Sequence, residues 1–123
     1  MELIDNRIIK RAGKAIRCLP FNGNFYKDTR EKGLTAETVF LRTAKYKVSK
    51  SRWFKSSYSV EATFRWLITI GILRREVDGQ GLTSRVRLTP LGRQILEERP
   101  DLPTQKAGFT EQLSNWFHSK WAL

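Results

Sequence analysis

Between Phe64 and Leu88 the spacing of apolar residues changes its period, and no single regular element holds both halves. Phe64, Leu67 and Ile68 recur at three- and four-residue intervals, as one buried face of a helix requires. After Gly71 the pattern alternates, with Leu73, Arg75 and Val77 on one side and Arg74 and Glu76 on the other. Asp78-Gly79-Gln80-Gly81 then supplies a polar turn, and Arg85-Val86-Arg87-Leu88 alternates back. The economical reading is a helix that closes at Gly71 and runs straight into a two-stranded hairpin. Thr89-Pro90 opens another helix with a cap and a proline at its first position, and Leu91, Ile95 and Leu96 bury one side before Pro100 stops it.

Upstream, Ile4, Ile8, Ala12, Ala15, Ile16 and Leu19 form one apolar helical stripe, opposite Arg7, Lys10, Arg11, Lys14 and Arg17. Pro20 closes this basic amphipathic helix, and Gly13 inside it costs about 1 kcal/mol relative to alanine. Phe21 to Gly33 keeps no steady period and reads as a loop. Thr35 is placed to cap a helix beginning Ala36-Glu37, with Val39, Phe40, Leu41 and Ala44 as its apolar residues. Ser59 is expected to cap the helix of Phe64 to Ile68, with Glu61 at the favourable end of its dipole. Beyond Pro100 a linker is expected over 100–108. Thr110 then caps a final helix within 109–123 that carries Leu113, Trp116, Phe117 and Trp121 on one stripe.

Length and charge narrow the class. A chain of 123 residues, 40% hydrophobic, has room for one core of moderate size. Its 23 lysines and arginines against 12 acids leave a net charge of +11, an excess most simply explained by an anionic partner. Six of the cations, Arg42, Lys45, Lys47, Lys50, Arg52 and Lys55, fall in the acid-free stretch from Thr38 to Val60. Trp53, Phe54 and Tyr58 interleave with them and have faces for stacking on single-stranded bases. Large aromatics find burial more often, so at least one of Trp53 and Phe54 is expected in the core.

Catalysis finds little support. His118 is the only histidine and has no acid or nucleophile near it in sequence, so neither a metal site nor a histidine triad is expected. Glu97, Glu98 and Asp101 read as a solvated acidic turn, and Gly79 and Gly81 belong to the hairpin rather than to a phosphate-cradling loop. No cofactor is expected. The one cysteine, Cys18, allows no internal disulfide and reads as a structural thiol. No apolar run reaches the length of a membrane span and the opening residues lack a signal-peptide pattern, so a cytoplasmic, non-membrane protein is expected.

The join Phe64-Arg65-Trp66-Leu67-Ile68-Thr69-Ile70-Gly71-Ile72-Leu73-Arg74-Arg75, followed by Val86-Arg87-Leu88-Thr89-Pro90-Leu91-Gly92-Arg93, resembles the winged-helix superfamily over residues 59–99. In that family a recognition helix ends at a glycine, enters the first wing strand, and returns to a helix opened by a Leu-Thr-x-x-Gly sequence. The resemblance implies a mainly α chain with a small β-hairpin wing (α+β): a winged-helix domain over 1–99 and an additional C-terminal helix. It also implies that Arg74, Arg75, Arg85 and Arg87, on the wing, reach the minor groove or backbone of DNA. Two features depart from the family. Ten or more residues intervene where the second and third helices usually meet in a tight turn, and the recognition helix is nearly neutral, exposing Glu61, Ala62, Thr63, Arg65, Trp66 and Thr69.

The function expected is therefore a DNA-binding winged-helix protein, either a transcription regulator or an accessory factor of a DNA-handling complex. Phosphate contacts are expected from Arg42, Lys45, Lys47, Lys50, Arg52 and Lys55, with Ser57 and Ser59 near the helix N-terminus. Thr63 and Arg65 are the candidates for base contacts. The partner is nucleic acid, double-stranded DNA foremost, with a homodimer or larger complex also open. The alternative from another class is an adaptor subunit, or an RNA-binding winged helix, that uses Trp116, Phe117 and Trp121 as its interaction stripe.

Overall fold

The N-terminal stripe forms the helix it predicts. In α1 (Asn6–Cys18) Ala12, Gly13, Ala15 and Ile16 are buried, while Arg7, Lys10 and Arg11 face solvent. The structure is a computed structural model that describes residues 6–104. Gly13 has room to spare: a methyl group there would meet Arg17 Nη1 at 3.7 Å and Leu102 Cδ1 at 3.9 Å, both ordinary contacts. Gly13→Ala is therefore expected to stabilise the fold by up to about 1 kcal/mol, read as a higher urea midpoint at unchanged m.

The expected loop over Phe21 to Gly33 is instead mostly a helix, α2 (Gly23–Glu31). Its start is set by Asn22, whose side-chain oxygen accepts a hydrogen bond from the Phe25 amide at 3.1 Å. Phe25, Tyr26 and Thr29 form its buried face, a stripe too short and too mixed in polarity to register as a period. The Asn22 amide also donates to the Lys45 and Lys47 carbonyls, at 2.8 and 3.3 Å, so α2 is held by a segment more than twenty residues away.

Thr35 caps α3 (Ala36–Leu41) as expected, accepting from the Thr38 amide at 3.2 Å. A single turn, α4 (Thr43–Tyr46), follows. The next helix, α5 (Ser57–Thr69), starts earlier than expected: Ser56 is its cap, and Ser59 donates its backbone N–H to the Ser56 hydroxyl at 3.2 Å. Gly71 adopts φ +89°, the left-handed conformation that ends the helix and aims the chain into the hairpin.

The hairpin is β1 (Leu73–Asp78) against β2 (Gly81–Leu88), antiparallel, with Leu73 opposite Leu88, Arg75 opposite Val86 and Val77 opposite Leu82. The ladder is irregular between Arg75 and Val77. This breaks the expected alternation: Leu73 is buried, but Val77 lies beyond the irregularity and is 61% exposed. A bridge between Leu34 and Val86 fastens the chain ahead of α3 to the hairpin.

In α6 (Pro90–Glu98) the Thr-Pro-Leu-Gly sequence acquires a physical reason. The Thr89 hydroxyl accepts from the Gly92 amide at 3.0 Å and donates to the Gly71 carbonyl, while the Thr89 amide donates to the Ile72 carbonyl at 2.9 Å. These bonds draw α6 so near the base of the hairpin that a Cβ on Gly92 would stand 2.8 Å from both the Ile72 carbonyl oxygen and Leu88 Cδ1. Gly92→Ala is expected to cost about 1–3 kcal/mol, the opposite sign to Gly13→Ala, in the same urea experiment.

A short 3-10 turn, Leu102–Thr104, packs against α1 with Leu102 and Pro103 buried, so residues 100–104 do not begin a linker as expected. The described residues thus form a small α+β domain of six helices and one two-stranded hairpin. Its centre is aromatic. Phe21 stacks on Phe25 at 4.0 Å between ring centroids and also meets Tyr26, Trp53, Phe54 and Phe64.

Candidate nucleic-acid interface

Two carboxylates decide which of the expected site residues stay available. On the hairpin, Glu76 receives both Arg85 and Arg87, the latter at 3.0 Å, and Arg87 also donates to the Thr29 and Arg30 carbonyls. On α5, Glu61 pairs with Arg75, which donates as well to the Ser84 carbonyl at 3.0 Å. Three of the four wing arginines are therefore committed within the fold, and Arg74 stands exposed with no ion pair among the described residues.

The acid-free stretch divides in the same way. Lys45 Nζ lies 3.0 Å from Asp28 Oδ2, which also accepts the Tyr46 hydroxyl at 2.8 Å. Lys47 is half-buried and donates to the Val48 carbonyl. Arg42 is exposed beside Tyr46. Lys50, Arg52 and Lys55 are exposed with no ion pair among the described residues. All three lie in the long connection that delivers the chain to Ser56, the cap of α5.

Along α5, Tyr58, Ala62, Arg65 and Thr69 recur at spacings of four, three and four; Tyr58, Arg65 and Thr69 are exposed and Ala62 is half-buried. Tyr58, one of the three rings expected to have a face for stacking, is 74% exposed. Arg65 lies on this stripe, 3.4 Å from Glu61 and still more than half exposed. Trp66, expected at the surface, is buried, and Thr63 sits half-buried off the exposed stripe. Ser57 opens the first turn, and Ser59 is engaged with Ser56. Trp53 and Phe54 pack against the core, and the Trp53 indole donates to the Phe40 carbonyl at 3.2 Å. Trp116, Phe117 and Trp121 lie outside the described residues.

A family model described as Npun_F0494-like matches residues 3–119. The chain belongs to the Npun_F0494-like family. No curated protein and no solved structure matches it. The Npun_F0494-like match runs through every described element, from α1 to the turn at Leu102–Thr104. Within this Npun_F0494-like domain, no group of three His, Cys, Asp or Glu is arranged to hold a metal ion among the described residues. No described helix is long and apolar enough to cross a membrane.

The ion pairs predict the acid behaviour of the fold. Hydrogen bonds from Arg85 and Arg87 hold the Glu76 carboxyl below its ordinary value. Burial pushes Asp28 up, but hydrogen bonds from Tyr46 and Lys45, with the Lys45 charge, outweigh it and bring the carboxyl below its ordinary value. A carboxyl lowered by folding stabilises the fold at pH above its unfolded value, about 4, and that contribution is lost as pH falls through the lower folded value. Melting temperature is expected to be flat between about pH 5 and about pH 9 and to fall below about pH 4. Asp28→Asn and Glu76→Gln should each make the acid fall shallower. A melt as steep in both variants as in the parent would remove these pairs as its cause.

Proposed function

We propose that this chain binds duplex nucleic acid, DNA foremost, using a winged-helix arrangement in which α5 is the recognition helix and the β1–β2 hairpin the wing. The passage of α5 through Gly71 into β1 supports the architecture, as does the Leu34–Val86 bridge that ties the segment ahead of α3 to the wing. The observation that carries the functional reading is the distribution of unpaired cations. Lys50, Arg52 and Lys55 precede α5, Arg74 follows it, and none of the four is neutralised among the described residues.

Affinity on this reading comes from phosphate contacts. The exposed stripe of α5 offers one arginine and one threonine for base edges, too little for strong sequence discrimination, which needs several bidentate pairs. A mobility-shift titration with unrelated duplexes tests it. Binding should differ little between sequences, and log affinity should fall with log salt at about −0.9 per neutralised phosphate, a slope of about −3.6 for four phosphates. Absence of any shift at low salt would overturn the proposal.

An adaptor role has one observation in its favour, the apolar cross-strand pair Val77 and Leu82 at the hairpin end, 61% and 76% exposed. Light scattering would support it if mass rose with concentration in the parent chain but not in the Val77→Ser, Leu82→Ser variant.

A further inference from the structure

A cavity of about 600 Å³ opens where three parts of the chain meet: the end of α1, the connection from Val48 to Phe54, and the turn at Pro103 and Thr104. The Val48 amide donates to the Pro20 carbonyl at 2.8 Å and fixes the connection against the end of α1. Arg17, Lys50, Ser51, Arg52, Trp53 and Phe54 are among its lining residues. No carboxylate is among its described lining residues. Its volume lies within the range of small-molecule sites, about 300–1,000 Å³.

Lys50 has φ 66°, the one positive φ at a non-glycine among the described residues. A lysine in the left-handed region is disfavoured by its Cβ, and it stands where glycine or asparagine would fold more easily. Lys50 lines the cavity together with Arg17 and Arg52, and no carboxylate is among the described lining residues. A lining that holds both cations and aromatic rings suits a ligand that is itself divided, with an anionic end and a flat apolar end.

We propose that this cavity binds a nucleoside phosphate, its phosphate on Lys50 and Arg52 and its base against Trp53 and Phe54. The ligand is either a free mononucleotide or the 5′-phosphorylated end of a strand. The inference rests on the same reading of Lys50 and Arg52 as phosphate contacts, but it does not require a duplex.

Calorimetric titration of the full chain at low salt with adenosine 5′-monophosphate, adenosine and inorganic phosphate tests it. A short single strand is titrated with and without a 5′-phosphate to separate the two sources. The mononucleotide, the phosphorylated strand or both should bind at least tenfold tighter than the matching unphosphorylated probe, and the mononucleotide, if it binds, tenfold tighter than inorganic phosphate. That preference should be lost in Lys50→Gly, Arg52→Gln, whose glycine suits the backbone at position 50; a thermal melt checks its folding, and Arg52→Gln alone serves if it fails. Preference for neither phosphorylated probe, inorganic phosphate equal to the mononucleotide, or a preference that survives in the variant would overturn the proposal. Duplex affinity measured on the same samples separates the two readings: nucleotide binding without duplex binding refutes the interface and keeps the cavity, and the reverse refutes the cavity.

Discussion

Reversing Lys50, Arg52 and Lys55 to glutamate together is expected to weaken duplex binding by at least a hundredfold at about 0.1 M salt. Each reversal removes one attraction to a phosphate and adds one repulsion, and each such pair is worth about 1 kcal/mol at close approach in water. Screening reduces this, but six changes of that size still exceed the roughly 3 kcal/mol that a hundredfold needs. The salt slope should flatten by about 0.9 for every phosphate that the variant no longer neutralises. All three side chains are exposed and unpaired among the described residues, so the melting temperature should hold. Arg85→Ala with Arg87→Ala is the informative contrast. Those arginines neutralise Glu76, so their removal should lower stability and leave binding nearly intact. If the triple reversal kept its affinity while the wing pair abolished it at unchanged stability, the interface would lie on the hairpin instead.

Phe21→Ala is expected to be the most damaging single truncation of the core, at about 3–5 kcal/mol. Phe21 precedes α2 and is fully buried, with its ring within 6.4 Å of five other aromatic rings, measured between centroids. These rings come from α2, from the connection ahead of α5, and from α5 itself, so no one neighbour is free to move into the space left behind. Against a total stability of about 5–15 kcal/mol for a domain, the truncation leaves a marginal fold. Urea denaturation should show the midpoint falling sharply. Tyr58→Ala, at a ring 74% exposed, should stay within about 0.5 kcal/mol of the parent. A cost below about 1 kcal/mol for Phe21→Ala would mean that the aromatic cluster does not organise the core.

The sequence by itself determined those features whose causes lie within a few residues of one another. The change of period at Gly71, the polar turn from Asp78 to Gly81, and the caps at Thr35 and Thr89 are local signals, and each element they mark is present. The excess of cations is likewise a property of composition. Tertiary structure alone decided what depends on partners distant in the chain. α2 escaped notice because its buried face is only Phe25, Tyr26 and Thr29, and the bonds that hold it come from Asn22 to the Lys45 and Lys47 carbonyls. Trp66 was expected outside because a helical period shows which residues share a face, not how much of the helix its neighbours cover. The wing arginines looked free because nothing in the order of residues states that Glu76 would receive Arg85 and Arg87, or that Glu61 would receive Arg75. A charge can be counted along the chain, but whether it is available to a partner depends on which opposite charge the fold brings within about 4 Å of it.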